Sequence, residues 1–201
     1  GARLFLKRLF DVLLSAALIV ALAPMWLIIP ALVWVEDRGP VFFRQTRVGL
    51  NGREFRISKF RTMHVNADAE LAALLAQQGK SDKPLFKVAD DPRITRVGQF
   101  LRRTSLDEIP QLLNVLEGTM SLVGPRPQVP AEVELYDDTA SRRLLTKPGM
   151  TGLWQVNGRS SLTWEEALRF DLFYVENWTL SMDIRVLFRT LRVVIAREGS
   201  A

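Results

Sequence analysis

The stretch "VLLSAALIVALAPMWLIIPALVWV", Val12 to Val35, runs for 24 residues without a charge. At about 1.5 Å rise per residue, a straight helix of that length reaches roughly 36 Å, enough to cross a ~30 Å hydrocarbon layer with some tilt. The run is too long for the apolar region of a signal peptide, and no small-residue cleavage site follows it. The plain reading is one spanning helix, a signal anchor. Two features oppose it. Pro24 falls at the midpoint, where it removes a backbone hydrogen bond and displaces the carbonyl four residues back, and Pro30 adds a second bend. The flanks also match in sign: Arg3, Lys7 and Arg8 precede the segment, while Arg38, Arg44, Arg47, Arg53, Arg56, Lys59 and Arg61 follow it. Positive charge favours the cytoplasmic side of a membrane. With both flanks there, the segment must enter the bilayer and turn back as a helix–break–helix. Prolines are also tolerated in spanning helices, so on these residues alone the spanning and re-entrant readings stand level.

The rest of the chain belongs to one medium-sized unit. It has 201 residues, 48% of them apolar, which excludes a disordered chain and a multi-span membrane protein. There is no cysteine and a single histidine, His64. Disulfides and thiolate metal sites are therefore excluded, and a lone histidine reads as a structural or surface residue. Gly1-Ala2 has the character of a cloning remnant, so the chain is expected to be a piece of something longer. The formal net charge of +5 points to anionic partners, whether nucleic acid, an acidic membrane surface or phosphorylated substrates.

Downstream, "VFFRQTRVGLNGREFRISKFRTM" (Val41 to Met63) has Asn51-Gly52 between two β-prone stretches. That dipeptide accepts the positive φ of a tight turn, so an arginine-rich β-hairpin is expected. Asn66 to Gln78 reads as a short helix and Gly79 to Pro84 as a loop. Near the end, Ile184, Leu187, Leu191, Val194 and Ile195 recur at helical spacing. Arg185, Arg189, Arg192 and Arg197 lie largely off that face. Such a helix suits the headgroup plane of a membrane, or packing on the domain's own core.

The chemistry points to "RRTSLDEIPQLLNVL", Arg102 to Leu116, where Asp107 and Glu108 stand side by side. Ser105 with Glu108 is a capping-box pattern, whereas with Asp107 as N-cap, Pro110 falls at the third helical position. The second register is preferred. In both, the acids sit at a helix start, whose dipole favours their ionised form. Arg102 and Arg103 precede them, "SLVGPRP" presents Arg126, and "KPGMTGLWQVNGR" (Lys147 to Arg159) is a glycine-rich stretch of the kind that lets backbone and arginine approach phosphates. No Walker or dinucleotide fingerprint is present. Arginines, paired carboxylates and a membrane segment together suggest phosphoryl chemistry at a bilayer surface.

These motifs carry a resemblance. "KRLFD", "GPVFFRQTRVGLNGREFRISKFRTM", "DDPRITRVGQFLRRTSLDEIPQLLNVLEGTMSLVGPRP" and "KPGMTGLWQVNGRSSLTWEEALRFDLFYVENWTLSMDI" run over nearly the whole chain. The sequence resembles the monotopic phosphoglycosyl transferases, bacterial sugar transferases that load a sugar phosphate onto polyprenyl phosphate. The resemblance implies an α+β, mostly helical fold with an N-terminal re-entrant helix–break–helix, a small β-hairpin and interfacial amphipathic helices. It divides the chain into a membrane hairpin over 1–37 and a catalytic domain over 38–201, on the cytoplasmic face of the bacterial inner membrane. The family's break lies near a Ser-Pro pair. Here the pair is Ala23-Pro24, so other side chains or lipid headgroups are expected to serve the backbone broken at Pro24.

The resemblance also implies roles. Asp107 and Glu108 are the catalytic dyad, and Arg102, Arg126 and Arg159 hold phosphate oxygens. Asp107 attacks the β-phosphate of a UDP-sugar, UMP leaves, and polyprenyl phosphate takes the phosphosugar from Asp107. Mg²⁺ is the expected cofactor, with Glu108 its ligand and Asp107 sharing it. Lys59 and Asp171 are weaker substrate-binding candidates. The partners are a UDP-sugar, polyprenyl phosphate and membrane lipid, with a homo-oligomer left open. The rival from the basic charge is a membrane-anchored nucleic-acid-binding or scaffold module. It needs a contiguous basic face with interleaved aromatics, whereas these arginines cluster at the dyad, the hairpin and the membrane flanks, so no nucleic-acid partner is expected. A second enzymatic reading has Asp107 as a base in direct transfer.

Overall fold

The computed structural model describes residues 1–67, 70, 91–158 and 162–196. The apolar segment is two helices, α1 (Ala2–Ala21) and α2 (Met25–Asp37), bent by 63° across the break. No single described helix is long and apolar enough to cross a membrane, although this bent pair passes that test together. Pro24 removes one donor, and the neighbouring donors find carbonyls locally. Ala23 N–H bonds to Val20 O (3.2 Å), Met25 N–H to Leu22 O (2.8 Å) and Trp26 N–H to Leu22 O (3.3 Å). Turn hydrogen bonds thus serve these donors within the chain itself. Pro30 lies inside α2.

α1 is inside out. The residues it buries are polar, Asp11 and Ser15, while Leu4, Phe5, Leu9, Leu13 and Val20 are exposed. Its protein-facing side is held by polar bonds to the rest of the fold. Lys7 Nζ donates to Asp183 Oδ2 (2.7 Å) and to Val123 O (3.1 Å), and Asp11 Oδ1 accepts from Leu122 N–H (3.1 Å). Arg8 caps the last carbonyls of the helix α4 (Gln111–Glu117), donating to Val115 O and Leu116 O. α2 instead packs Ile29 and Val33 into a core shared with Ile57, Phe60, Leu101 and Leu112.

The expected hairpin forms from β1 (Phe42–Val48) and β2 (Glu54–Phe60), antiparallel, with Phe42 opposite Phe60 and Val48 opposite Glu54. Asn51 and Gly52 take φ of 56° and 73° in a short 3₁₀ turn over Leu50–Gly52. That connection is wider than a two-residue turn. Phe60 stacks on Phe42 and meets Trp26 edge-on, which joins the sheet to α2. Most of the expected Asn66–Gln78 helix and the Gly79–Pro84 loop lie outside the described residues.

Two helices bracket the acidic pair. α3 (Arg96–Thr104) begins at Thr95, whose hydroxyl accepts from Gly98 N–H (2.9 Å), and α4 follows the pair, closing on Gly118 at φ 92°. Asn114 of α4 acts as a strand partner for β2, donating to Arg56 O (2.8 Å) and accepting from Ser58 N–H (3.1 Å). Two short strands, β3 (Ser121–Val123) and β4 (Gly149–Thr151), pair in parallel. α5 (Trp164–Asn177) starts on a capping box between Thr163 and Glu166. The last helix, α6 (Leu180–Ala196), buries Asp183 and Val186 and exposes Ile184, Phe188, Leu191 and Ile195. It thus packs one face on the core and leaves an apolar row uncovered.

Gly98 lets α3 lie against the β2 exit, since a Cβ there would come within 2.0 Å of Thr62 O. Gly98→Ala should therefore cost about 1–3 kcal/mol or more from overpacking. A thermal unfolding midpoint equal to wild type would show that this close approach does not constrain α3.

Candidate active site

Asp107 and Glu108 lie in a 3₁₀ turn over Leu106–Glu108 between α3 and α4. Neither sequence register holds. Ser105 takes the left-handed conformation (φ 55°) and makes no side-chain cap, so the capping box does not form. Asp107 is not the N-cap of α4 either. Pro110 occupies that position, because a residue without an N–H fits where no intrahelical bond is made. The tight turn, set by Ser105 and Pro110, brings both carboxylates toward β2.

There Lys59 meets them. Its Nζ donates to Glu108 Oε1 at 2.6 Å and lies 3.9 Å from Asp107 Oδ2. A residue ranked low on sequence is thus the nearest cation to the pair. Burial pushes the Asp107 carboxyl up to about 6, with the Glu108 charge adding to it and Lys59 and Arg102 opposing. Desolvation is the largest influence on this group. Burial pushes Glu108 the same way, yet Lys59, Arg126 and the hydrogen bonds from Lys59 and Gln111 prevail and hold it down at about 2. Two neighbouring acids are thereby split into a weaker and a stronger one.

The arginines flank the pair in order. Arg102 acts on Asp107 and anchors its Nε on Thr62 Oγ1 (2.9 Å). Arg126 acts on Glu108 and lines a crevice with Arg47, Lys59, Glu108 and Gln111. Among the described residues, no hydrogen bond or ion pair engages the Arg126 guanidinium. Arg159 lies outside the described residues. Asp171 is not in the crevice. It is 1% exposed and its carboxylate pairs with Arg143 at 2.5 Å, so it supports rather than touches. Burial raises it to about 6 despite Arg143. Arg143, flanked by the Tyr136 and Trp164 rings, also donates to Arg126 O (3.2 Å) and so steadies the turn that presents Arg126.

The glycine-rich stretch does something other than expected. A Cβ at Gly149 would meet Gly124 N at 2.1 Å, and one at Gly152 would meet Gly124 O at 2.4 Å. These glycines let two backbones touch under the Pro125–Arg126–Pro127 turn. Sequence reading passed over Arg47, Gln111 and Arg143; Gln111 alone carried a signal, three residues after Glu108 on the same turn.

Among the described residues, no three acidic, histidine or cysteine side chains gather as a metal site. Asp107 and Glu108 supply two hard oxygen donors, a set that suits Mg²⁺ when substrate phosphates complete its shell.

Two neighbouring carboxylates, a lysine bound to one of them, and arginines thus gather at one place. A family model described as bacterial sugar transferase matches residues 2–197, and the chain belongs to that family. It is 46% identical over 200 residues to the undecaprenyl-phosphate galactose phosphotransferase of Salmonella typhimurium, covering 98% of this chain and 42% of that one. It is 43% identical over 201 residues to exopolysaccharide production protein ExoY of Sinorhizobium fredii (96% and 87% covered). It is 45% identical over 200 residues to a UDP-galactose-lipid carrier transferase of Erwinia amylovora (98% and 42%). The chain spans less than half the length of the Salmonella and Erwinia relatives and most of ExoY.

Lys59→Met removes the largest charge opposing the rise of Asp107, so in metal-free protein the Asp107 titration should move upward from about 6, and that of Glu108 upward from about 2. Carboxyl carbon-13 NMR reads both; an unmoved Asp107 would detach Lys59 from the dyad.

Proposed function

We propose that this protein transfers a sugar 1-phosphate from a UDP-sugar to polyprenyl phosphate, at the cytoplasmic face of the bacterial inner membrane, as an initiating step of exopolysaccharide or glycoconjugate synthesis. The observation that carries this reading is the split dyad: a buried carboxylate, Asp107, beside Glu108 and Lys59, with the Arg126 guanidinium, unengaged among the described residues, in the crevice that Glu108 and Lys59 line. The Salmonella and Erwinia relatives are named for transfer onto undecaprenyl phosphate and from UDP-galactose to a lipid carrier, which supports the substrate classes.

An Asp107 oxygen attacks the β-phosphorus of the UDP-sugar, and the bond from that phosphorus to the bridging oxygen breaks. UMP departs with the bridging oxygen, and the sugar phosphate stays on Asp107 as an acyl phosphate. A phosphate oxygen of polyprenyl phosphate then attacks the same phosphorus. The bond to Asp107 breaks, and polyprenyl diphosphate-sugar leaves. Two displacements through one nucleophile keep the two anionic substrates from having to meet directly. Lys59 screens Asp107 from the incoming diphosphate, and Arg102 and Arg126 hold phosphate oxygens as charge shifts. Mg²⁺, held by Glu108 and Asp107, would supply further neutralisation of the diphosphate.

The acceptor's phosphate is tethered at headgroup depth, so the nucleophile must be held there. α1 and α2 with their exposed apolar surface, entering the leaflet and returning, would set that depth, and the uncovered row on α6 would lie in the headgroup plane.

Incubating detergent-solubilised protein with a panel of radiolabelled UDP-sugars and Mg²⁺, without acceptor, should give a stoichiometric burst of UMP and labelled protein. Asp107→Ala should lose both by several orders of magnitude, and chelation by EDTA should stop UMP release until Mg²⁺ is restored. Labelled protein in the alanine variant would move the nucleophile elsewhere. UMP release that waits for acceptor would favour direct transfer with Asp107 as base.

A further inference from the structure

Arg47 stands near the end of β1, away from the sequence motifs that mark the dyad, yet it lines the same crevice as Lys59, Glu108 and Arg126. Three features set it apart from the exposed arginines of the hairpin. Its Nη1 donates to Pro127 O (3.2 Å) and its Nη2 to Gln45 Oε1 (2.6 Å), so the group is held rather than free to swing. The next residue extends the same contact, with Val48 N–H bonded to Gln128 O (2.9 Å). Its Nε is buried and finds no partner among the described residues.

A fixed guanidinium with a buried, unanswered N–H beside a second guanidinium is unfavourable unless an anion joins them. Burial and the neighbouring Arg126 charge both push Arg47 down, to about 10, with Glu132 and Glu108 opposing. Neither arginine has a carboxylate partner within salt-bridge distance among the described residues. Glu108, the acid that both feel, is already taken by Lys59.

The order of charges along the site says which anion fits. Arg102 acts on Asp107, Lys59 lies between the two acids, and Arg126 and Arg47 act at the Glu108 end. The phosphorus under attack must lie at Asp107. The second phosphate of a diphosphate, one bridging oxygen further on, then falls toward Arg126 and Arg47.

We propose that Arg47 and Arg126 together bind the nucleotide-side phosphate of the donor, the phosphate that departs as UMP, making Arg47 a substrate-binding residue. The inference rests on the transfer reaction proposed above. Because that phosphate is bound in the donor and still bound as the product leaves, Arg47 should govern both donor affinity and inhibition by UMP. It should leave the acceptor untouched, since the acceptor phosphate approaches Asp107 after UMP has gone.

The test compares wild type, Arg47→Met and Arg47→Lys as full chains in detergent or nanodiscs. It measures the donor KM, the acceptor KM, the inhibition constant of UMP and the unfolding midpoint. Arg47→Met should raise the donor KM and the UMP inhibition constant together by about tenfold to a hundredfold, the size of a lost charge-assisted hydrogen bond. Acceptor KM should stay within about twofold, and Arg47→Lys should recover part of the loss by restoring the charge. A merely structural role would move both KM values and the unfolding midpoint without singling out UMP, and that result overturns the inference. So does an active Arg47→Met variant whose UMP inhibition matches wild type. A wild-type protein that releases no UMP from any UDP-sugar sinks the parent reaction, and Arg47's role with it.

Discussion

Lys7 and Asp183 meet at 2.7 Å in the interior, and Asp183 is wholly buried. The geometry around them lets a charged pair survive there. Asp183 Oδ2 also accepts from Trp178 Nε1 (3.1 Å), while Tyr174 shares its hydroxyl proton between Asp183 Oδ1 and Val123 O, each at 2.8 Å. Burial and the Asp183 charge push the Tyr174 phenol far up, so it stays a donor. Both carboxylate oxygens are satisfied by residues of α1, α5 and the turn into α6. A buried pair of this kind adds little net stability over an apolar pair, but losing one partner costs several kcal/mol because the other charge is stranded. It therefore selects one arrangement. α1 must present its polar stripe to the protein, where Phe10, Leu14 and Leu18 pack beside it, and Leu4, Phe5, Leu9, Leu13 and Val20 are left facing outward.

The inside-out helix passes its constraint to the site through short links. Arg8, one residue after Lys7, closes the C-terminal carbonyls of α4, and Asp11 holds Leu122 in the middle of β3. Asn114 in the middle of α4 pairs with the backbone of β2 and so sets the height of Lys59 against the dyad. At the other end of the hairpin, Glu36 accepts from Val97 N–H at the first turn of α3, and Asp37 takes Arg61 and Val65 N–H. α3 then delivers Arg102. The apolar helix pair and the dyad are thus parts of one packed body.

The legible features were those whose cause is local. Pro24, at the midpoint of the apolar run, ends one helix and starts another through its missing N–H, whereas Pro30 is carried inside α2; Asn51-Gly52 accepts positive φ in any hairpin. Asp107 and Glu108 were conspicuous because adjacent acids before a proline are unusual. The 3₁₀ turn was harder to read, since it depends on Ser105 entering the left-handed region between two helices packed by distant partners. Asp171 looked like a site residue because a buried carboxylate and a substrate-binding one share the same letter. Only its pairing with Arg143, far off in sequence, separates them. The glycines at Gly124, Gly149 and Gly152 had the composition of a phosphate cradle, but their freedom goes to backbone contact with one another.

That exchange of roles explains how the site keeps its cations pointed at empty space. Arg126 sits on a turn whose backbone is gripped from three sides: Arg143 at Arg126 O, Arg47 at Pro127 O, and Gly149 N–H at Pro125 O. Asp171 neutralises Arg143 and so takes up the one nearby charge that would otherwise repel Arg126 without contributing to the crevice. Lys59 does the corresponding work at Glu108. What remains is a carboxylate at one end, raised by burial against the pull of Lys59 and Arg102, and at the other two arginines with no carboxylate partner in salt-bridge distance among the described residues. In the reaction proposed above, a diphosphate laid across that gradient would put one phosphorus at the carboxylate and its departing phosphate on the arginines.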